Sequence, residues 1–146
     1  MDVSFISNSA EDTIQFGREF AKGLEIGDVI ALAGDLGSGK TMLVKGICLG
    51  LGFGGEVTSP SFVKIHHYTS DPPMVHADFY LVDSYNDVMD LGLDELFGSD
   101  NISVVEWAQK FPEQLPQDAW WIEIDHVVGR EETRRIKIRS GTRKAH

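Results

Sequence analysis

The segment from Gly34 to Thr41 constrains the fold of this 146-residue chain more than any other feature. It reads Gly-Asp-Leu-Gly-Ser-Gly-Lys-Thr, which is the full pattern of Gly, four residues, Gly-Lys and then Ser or Thr. A chain of this composition would contain the pattern by chance about 0.008 times. Such a loop binds phosphate when a buried strand precedes it and a helix follows it, because backbone N–H groups and the positive end of the helix then converge on one oxyanion.

Both flanks of the loop have the required character. Residues Val29 to Ala33 form a short apolar run without alternation, which is typical of a strand covered on both faces, and Thr41 to Leu49 predict a helix. We expect Lys40 to reach the β- and γ-phosphates and the Thr41 hydroxyl to bind Mg²⁺. The residues expected to hold the nucleotide phosphates are Asp35, Leu36, Gly37, Ser38, Gly39, Lys40 and Thr41.

The rest of the chain alternates between helix and strand patterns. Ser9 can cap a helix over 10–24, and another helix is expected over 86–97. Strands are predicted at 62–68, 74–80, 102–105, 120–128 and 135–139, the first two as a hairpin on an exposed edge. Length and element order predict one α/β domain spanning 1–146, of the P-loop NTPase type, with a mixed, largely parallel central sheet flanked by helices.

Charge is divided unevenly along the chain. Residues 1–129 carry 6 Lys and Arg against 21 Asp and Glu, a net charge of −15, whereas 130–146 carry 7 against 2, a net charge of +5. Nucleic acid normally binds a basic face, so the acidic body predicts that a partner supplies most contacts to any RNA. The basic tail is interpreted as a solvated edge strand whose Arg and Lys oppose edge-to-edge pairing.

Cysteine content and hydropathy predict the cellular compartment of the protein. Cys48 is the single cysteine, which excludes an internal disulfide framework or a multi-cysteine zinc ribbon and fits a reducing compartment. No window approaches the length of an apolar membrane span, and the first ten residues lack a signal-peptide pattern. We therefore expect a cytoplasmic protein that does not contact membrane.

The remaining motifs bear on the class of P-loop protein. No Asn-Lys-x-Asp sequence is present, and no Asp is followed by Gly three positions later, which makes guanine specificity improbable and favours ATP. A small-molecule or nucleotide kinase should carry an Arg-rich lid, yet no arginine lies between Thr41 and Gly129. The kinase remains an alternative, as does an adaptor that binds ATP without hydrolysing it.

Catalysis also needs a carboxylate near the metal, at the end of a buried strand beside the loop. Glu106 ends one such strand and Asp78 ends another, and the pattern leaves both as candidates. Trp107 could shield the site or pack in the core. The segment 58–61, Thr-Ser-Pro-Ser, could sense the γ-phosphate or be a plain loop. The histidines lack metal-ligand spacing and are interpreted as structural or surface residues: His66, His67, His76 and His126.

Five features in order resemble the TsaE family, also called YjeE, of small bacterial P-loop ATPases. They are Thr13 near the start of the first helix, the loop at 34–41, Val-Thr-Ser-Pro-Ser-Phe at 57–62, His-Ala-Asp-Phe-Tyr at 76–80 and Val-Glu-Trp at 105–107. The resemblance covers nearly the whole chain. Leu81 departs from it, because an arginine usually follows the Asp-x-Tyr pattern.

The resemblance implies a set of site residues. It implies that Thr41 and Glu106 bind Mg²⁺, that Lys40 contacts the phosphates of ATP, and that Asp78 is required for hydrolysis. It further implies that the nucleotide is flanked by Trp107 and that the adenosine is flanked by Asn8, Ala10 and Arg130.

The resemblance also implies a function in tRNA modification. Members of the family support formation of N6-threonylcarbamoyladenosine at position 37 of tRNA. They dock on the TsaB–TsaD heterodimer and hydrolyse ATP to reset that pair between turnovers. Contact with tRNA would then be indirect, through the complex, which agrees with the acidic body.

Overall fold

A computed structural model describes residues 2–34, 38–53, 55, 57, 65–97 and 99–140. Seven strands form one sheet: β1 (Asp2–Ser7), β2 (Val29–Ala33), β3 (Ile65–Tyr68), β4 (Met74–Asp78), β5 (Ile102–Glu106), β6 (Trp120–Val127) and β7 (Arg130–Arg139). In the described residues, four α-helices and two short 3₁₀ helices accompany them: α1 (Ala10–Ala21), α2 (Lys40–Gly50), α3 (Tyr85–Asp90), α4 (Leu93–Leu96), Ala108–Lys110 and Pro112–Gln114. None of the helices in these ranges is long and apolar enough to cross a membrane.

The strand order is β1-β7-β6-β2-β5-β4-β3. The four central strands, β6, β2, β5 and β4, pair in parallel, whereas β1 with β7, β7 with β6, and β4 with β3 pair antiparallel. The predicted α/β fold with a mixed sheet is therefore confirmed, and its parallel part is the centre of the sheet. Because parallel strands end on the same edge, the residues that follow β2, β4 and β5 are brought together there.

Alternating side chains of the central strands build two cores. Ile30, Leu32 and Val104 pack with α1 and α2 on one face of the sheet. Val29 and Val105 pack with α3, α4 and the first 3₁₀ helix on the other. The predicted flanking by helices is confirmed, and β2, β4 and β5 are covered on both faces, whereas β6 alternates between buried and exposed residues.

Two glycines allow α1 to pack closely on α2. A Cβ at Gly46 would lie 2.1 Å from the carbonyl oxygen of Ile14, and one at Gly17 would lie 2.6 Å from that of Leu43. Side chains at these positions would therefore force the helices apart. The contact fixes α2, whose first turn carries Lys40 and Thr41, against the N-terminal part of the chain.

The structure corrects several sequence predictions. The basic tail is not an edge strand, because β7 lies between β1 and β6, and β1, which the sequence analysis did not predict, forms that edge. The helix expected over 86–97 divides at Gly92, whose φ of 69° starts α4 separately from α3. The hairpin on the opposite edge is confirmed as β3 and β4, with 62–64 outside the described residues.

Candidate functional site

The loop leaves β2 at Gly34 and enters α2 at Gly39. Gly34 has a φ of 153°, and a Cβ there would lie 2.4 Å from the carbonyl oxygen of Ile124, so the close approach of β6 requires glycine. Gly39 has a φ of 103°, which favours glycine, and it is the N-cap of α2. Asp35, Leu36 and Gly37, predicted to bind phosphate, lie outside the described residues, as does the segment 58–61.

Lys40 is the first residue of α2, and its side chain folds back toward the end of β2. The residue is 6% exposed, and Nζ donates a hydrogen bond to the carbonyl oxygen of Gly34 at 2.6 Å. The same Nζ lies 4.6 Å from the ring centroid of Trp107, a cation–π contact. The ammonium group is thus held between the first residue of the loop and the residue after β5.

Trp107 has the left-handed backbone conformation, with φ of 57° and ψ of 32°. A bulky residue rarely adopts this conformation, and such outliers cluster at functional sites. The half-buried ring contacts the Lys40 ammonium and also the ring of Tyr80, with centroids 5.0 Å apart. This placement favours the interpretation that Trp107 shields the site, although its ring also packs on the core beside Ala108.

The two candidate carboxylates end neighbouring parallel strands. Asp78 of β4 is in register with Glu106 of β5, and the residues are 2% and 3% exposed. Oδ1 of Asp78 accepts a hydrogen bond from the Tyr80 amide at 2.7 Å. Oε2 of Glu106 lies 2.5 Å from Nε2 of His76. The structure therefore brings both carboxylates to the edge of the sheet where Lys40 lies, and each is fixed by a hydrogen bond.

His76 contacts one of the candidate carboxylates, which the sequence did not predict. Its interpretation as a structural or surface residue agrees with its burial, and its imidazole contacts Glu106 through Nε2 and the Tyr68 hydroxyl through Nδ1, at 3.3 Å. Part of this placement could be predicted from the sequence, because strand alternation puts residue 76 on the same face of the sheet as Asp78. What the sequence did not provide is that β5 lies beside β4.

Arg134 of β7 is a second residue that sequence reasoning missed. Its Nε donates to the carbonyl oxygen of Ser38 at 2.9 Å, and its Nη1 donates to the carbonyl oxygens of Glu131 and Thr133. The Ser38 hydroxyl is buried and has no hydrogen-bond partner among the described residues. Arg134 thus ties β7 to the loop, next to a polar atom that a ligand could satisfy.

A cavity of about 210 Å³ lies beside this contact, between the start of α1, the start of α2 and β7. Its lining residues are Ser9, Ala10, Thr13, Gly39, Met42, Glu132 and Arg134. The predicted residue Ala10 is therefore at the cavity. Asn8 is not among the lining residues but precedes Ser9, which is, and its Oδ1 accepts a hydrogen bond from the Thr133 hydroxyl at 3.4 Å. Arg130 is exposed at the start of β7 and is not among these lining residues.

The oxygen atoms near the loop suit a hard cation such as Mg²⁺. In proteins Mg²⁺ is usually held by one or two carboxylates together with substrate phosphates and water. Glu106, Asp78 and the Thr41 hydroxyl, on the first turn of α2, are donors of this kind. No group of three or more His, Cys, Asp or Glu in the described ranges forms a protein-only metal cage. The chemistry fits an ion that is bound together with a nucleotide.

Two bacterial proteins resemble this chain over most of its length. The chain is 42% identical over 130 residues to the tRNA threonylcarbamoyladenosine biosynthesis protein TsaE of Streptomyces coelicolor, covering 85% of this chain and 87% of that protein. It is 38% identical over 112 residues to the protein of the same name from Treponema pallidum, covering 77% and 83%.

A solved structure and a family model agree with these relatives. The crystal structure of Bacillus subtilis YdiB matches with a TM-score of 0.84 and 31% identity, covering 99% of this chain and 88% of that one. The model of the family described as threonylcarbamoyl adenosine biosynthesis protein TsaE matches residues 7–136, which contain every described feature of the site. The chain belongs to the TsaE family.

Proposed function

We propose that this protein binds and hydrolyses ATP with Mg²⁺, as an accessory protein of tRNA threonylcarbamoyladenosine biosynthesis. The single observation that carries the proposal is the convergence of Lys40 with two buried carboxylates, Asp78 and Glu106, at one edge of the sheet. The names of the relatives support the pathway. The lack of the guanine motif supports ATP as the nucleotide.

Lys40 and the loop would bind the phosphates. The ammonium group now donates to Gly34 and would contact the β- and γ-phosphates, which offer stronger acceptors because they are charged. The first turn of α2 presents backbone N–H groups and the positive end of its dipole toward the same ligand. The buried Ser38 hydroxyl, which has no partner in the described part of the chain, would be satisfied by this ligand too.

Thr41 and Glu106 would hold Mg²⁺, and Asp78 would orient the attacking water. The bound ion supplies positive charge next to the phosphoryl group that is transferred. Asp78 is restrained through Oδ1 by the Tyr80 amide, and that restraint suits a group which must present a carboxylate in one direction. Trp107 covers Lys40 and would keep bulk water from the phosphates.

The cavity beside β7 would receive the adenosine. Ala10 and Arg134 line it, and Asn8 precedes the lining residue Ser9. A planar guanidinium such as that of Arg134 can stack on a base while its N–H groups remain bonded to carbonyl oxygens. Arg130 stays a prediction for the same role, from its place at the start of β7.

Hydrolysis would be slow in the isolated protein and faster with the TsaB–TsaD heterodimer. No arginine lies between Thr41 and Gly129, and Nε and Nη1 of Arg134 donate to main-chain carbonyl oxygens. An arginine that stabilises the transition state would therefore come from a partner. Contact with tRNA would be through that complex, because residues 1–129 carry a net charge of −15.

The test combines ATP hydrolysis with tRNA modification. The chain, TsaB and TsaD are purified, and phosphate release is measured for the chain alone, for the pair alone and for the mixture, with a pull-down with and without ATP. We expect binding, stimulated hydrolysis and repeated rounds of tRNA modification, all lost in Lys40→Ala. Full-rate hydrolysis by the chain alone would contradict partner stimulation. Nucleotide binding without hydrolysis in the mixture would indicate an adaptor, and phosphate transfer to a metabolite would indicate a kinase.

A further inference from the structure

His76 lies inside the buried strand β4, and its imidazole contacts one of the two candidate carboxylates. The side chain is 0% exposed, and Nε2 lies 2.5 Å from Oε2 of Glu106. A carboxylate that binds a metal ion is ionised and only accepts hydrogen bonds, so in that state the hydrogen between the two groups is the one on Nε2 of His76. One oxygen of the Glu106 carboxylate is therefore held in place by a donor from the neighbouring strand.

The imidazole is itself oriented from its other side. The Tyr68 hydroxyl on the edge strand β3 lies 3.3 Å from Nδ1 of His76, and Nδ1 of His66 lies 3.3 Å from the same hydroxyl. Tyr68 is buried, and its ring packs on Phe53 with centroids 5.0 Å apart. A chain of hydrogen bonds thus runs from the half-exposed His66 through Tyr68 and His76 to Glu106.

This arrangement restricts the freedom that a glutamate carboxylate normally has. The terminal torsion of glutamate is broad and roughly two-fold, so a carboxylate without a fixed donor samples many orientations. Metal-ligating carboxylates are usually hydrogen-bonded by neighbouring groups, and the loss of such a neighbour typically lowers metal affinity or activity by about 10- to 100-fold.

We infer that His76 is a positioning residue that orients the Glu106 carboxylate for Mg²⁺ in the nucleotide complex. The inference rests on the proposed function, in which Glu106 is a metal ligand. A purely structural imidazole would satisfy a buried carboxylate and affect folding alone. A positioning imidazole affects the affinity for the metal and leaves the metal-free affinity for nucleotide unchanged.

The test measures metal binding directly, with Mn²⁺ as the probe because it is paramagnetic and takes the same oxygen ligands as Mg²⁺. The variants are His76→Leu, which removes the donor, and His76→Gln, whose amide nitrogen can take the place of Nε2. His67→Gln, exposed on β3 of the same hairpin, is the matched control. Mn²⁺ affinity is read by electron paramagnetic resonance with a non-hydrolysable ATP analogue, nucleotide affinity is measured in EDTA, and the thermal midpoint reports folding.

We expect His76→Leu to bind Mn²⁺ about 10- to 100-fold more weakly, with nucleotide affinity in EDTA unchanged. His76→Gln should recover most of the loss, and His67→Gln should match the wild type. Wild-type Mn²⁺ affinity in a folded His76→Leu variant would overturn the inference while leaving the proposed function intact. No Mn²⁺ binding by the wild-type protein with nucleotide would overturn both.

A second pair covers the case in which His76→Leu does not fold. His76→Asn keeps an amide, but one placed near the position of Nδ1, too far from Glu106 to donate. If His76→Gln binds Mn²⁺ as the wild type does and His76→Asn binds it about 10-fold more weakly, the inference stands. Equal affinities in the two variants would overturn it.

Discussion

The two sides of the phosphate loop are built in different ways. On the carboxylate side, the parallel strands β4 and β5 end in register, and Asp78, Glu106 and His76 are buried and bonded to one another or to the next turn. On the cavity side, the antiparallel strand β7 and the first turn of α1 present mostly half-buried and exposed residues around open space, and Thr13 among them is buried. The first side is fixed before any ligand arrives, and the second leaves room for one.

This difference suggests a division of labour between chemistry and recognition. Groups that handle developing charge gain from a fixed, dry environment, since they then need no reorganisation during the reaction. A base can be held by apolar contacts and stacking, which tolerate a more open site. Substitutions on the carboxylate side should therefore affect hydrolysis, and those on the cavity side should affect nucleotide affinity.

Lys40→Ala should have the largest effect, because Lys40 lies where the two sides meet. Loss of the ammonium group removes charge-assisted contacts to the phosphates, and we expect nucleotide affinity to fall by at least about 100-fold. Isothermal titration calorimetry with ATP and Mg²⁺ measures this affinity. Lys45→Ala, exposed on the same helix, is the control. Normal ATP affinity in Lys40→Ala would refute the site assignment.

Glu106→Gln should separate hydrolysis from binding. The amide keeps an oxygen that can accept from His76 but loses the charge needed for the metal, so we expect the hydrolysis rate with partners to fall by about 100-fold. Nucleotide affinity in EDTA should change little. Phosphate release and equilibrium binding are measured on Glu106→Gln beside Glu123→Gln, an exposed residue of β6. Unchanged kinetics would transfer the metal-binding role to Asp78.

Arg134→Ala should lower nucleotide affinity and leave the rate of hydrolysis unchanged. It removes the contact to Ser38 and one wall of the cavity, and we expect nucleotide affinity to fall by about 10-fold, which corresponds to about 1.4 kcal/mol. Hydrolysis at saturating ATP should be preserved. Arg135→Ala, the exposed neighbour on β7, is the control. A fall in the saturated rate without a change in affinity would show that Arg134 belongs to the chemistry.

Cys48 offers an effect on stability alone, and it is confined to alkaline pH. Burial raises the pKa of its thiol from 9.0 to about 12, so the unfolded chain releases the proton first as pH rises. The stabilisation is complete below about pH 9 and is lost toward pH 12, by at most about 1.4 kcal/mol per pH unit. Urea unfolding at several pH values should give a shallower decline for Cys48→Ala than for the wild type. Identical slopes would contradict the burial argument.

The carboxylate side was largely predictable from the sequence, and the cavity side was not. Asp78 and Glu106 each end a largely apolar run, and such runs indicate a buried strand from local sequence alone. Arg134 and the true edge of the sheet depend on strand order, which joins β1 to β7 across nearly the whole chain. The first strand gave a weak signal, since its alternation is short, and a basic sequence in β7 suggested an edge where another strand lies.

The position of β7 also determines when the sheet can be completed during synthesis. The strand inserts between β1 and β6, so the earliest strand of the described chain has no neighbour in the sheet until β7 has left the ribosome. A chain interrupted before Arg134 would lack both the cover for β1 and the contact to Ser38. Nascent products that stop short would therefore leave strand edges unpaired, which makes them prone to aggregation and to proteolysis.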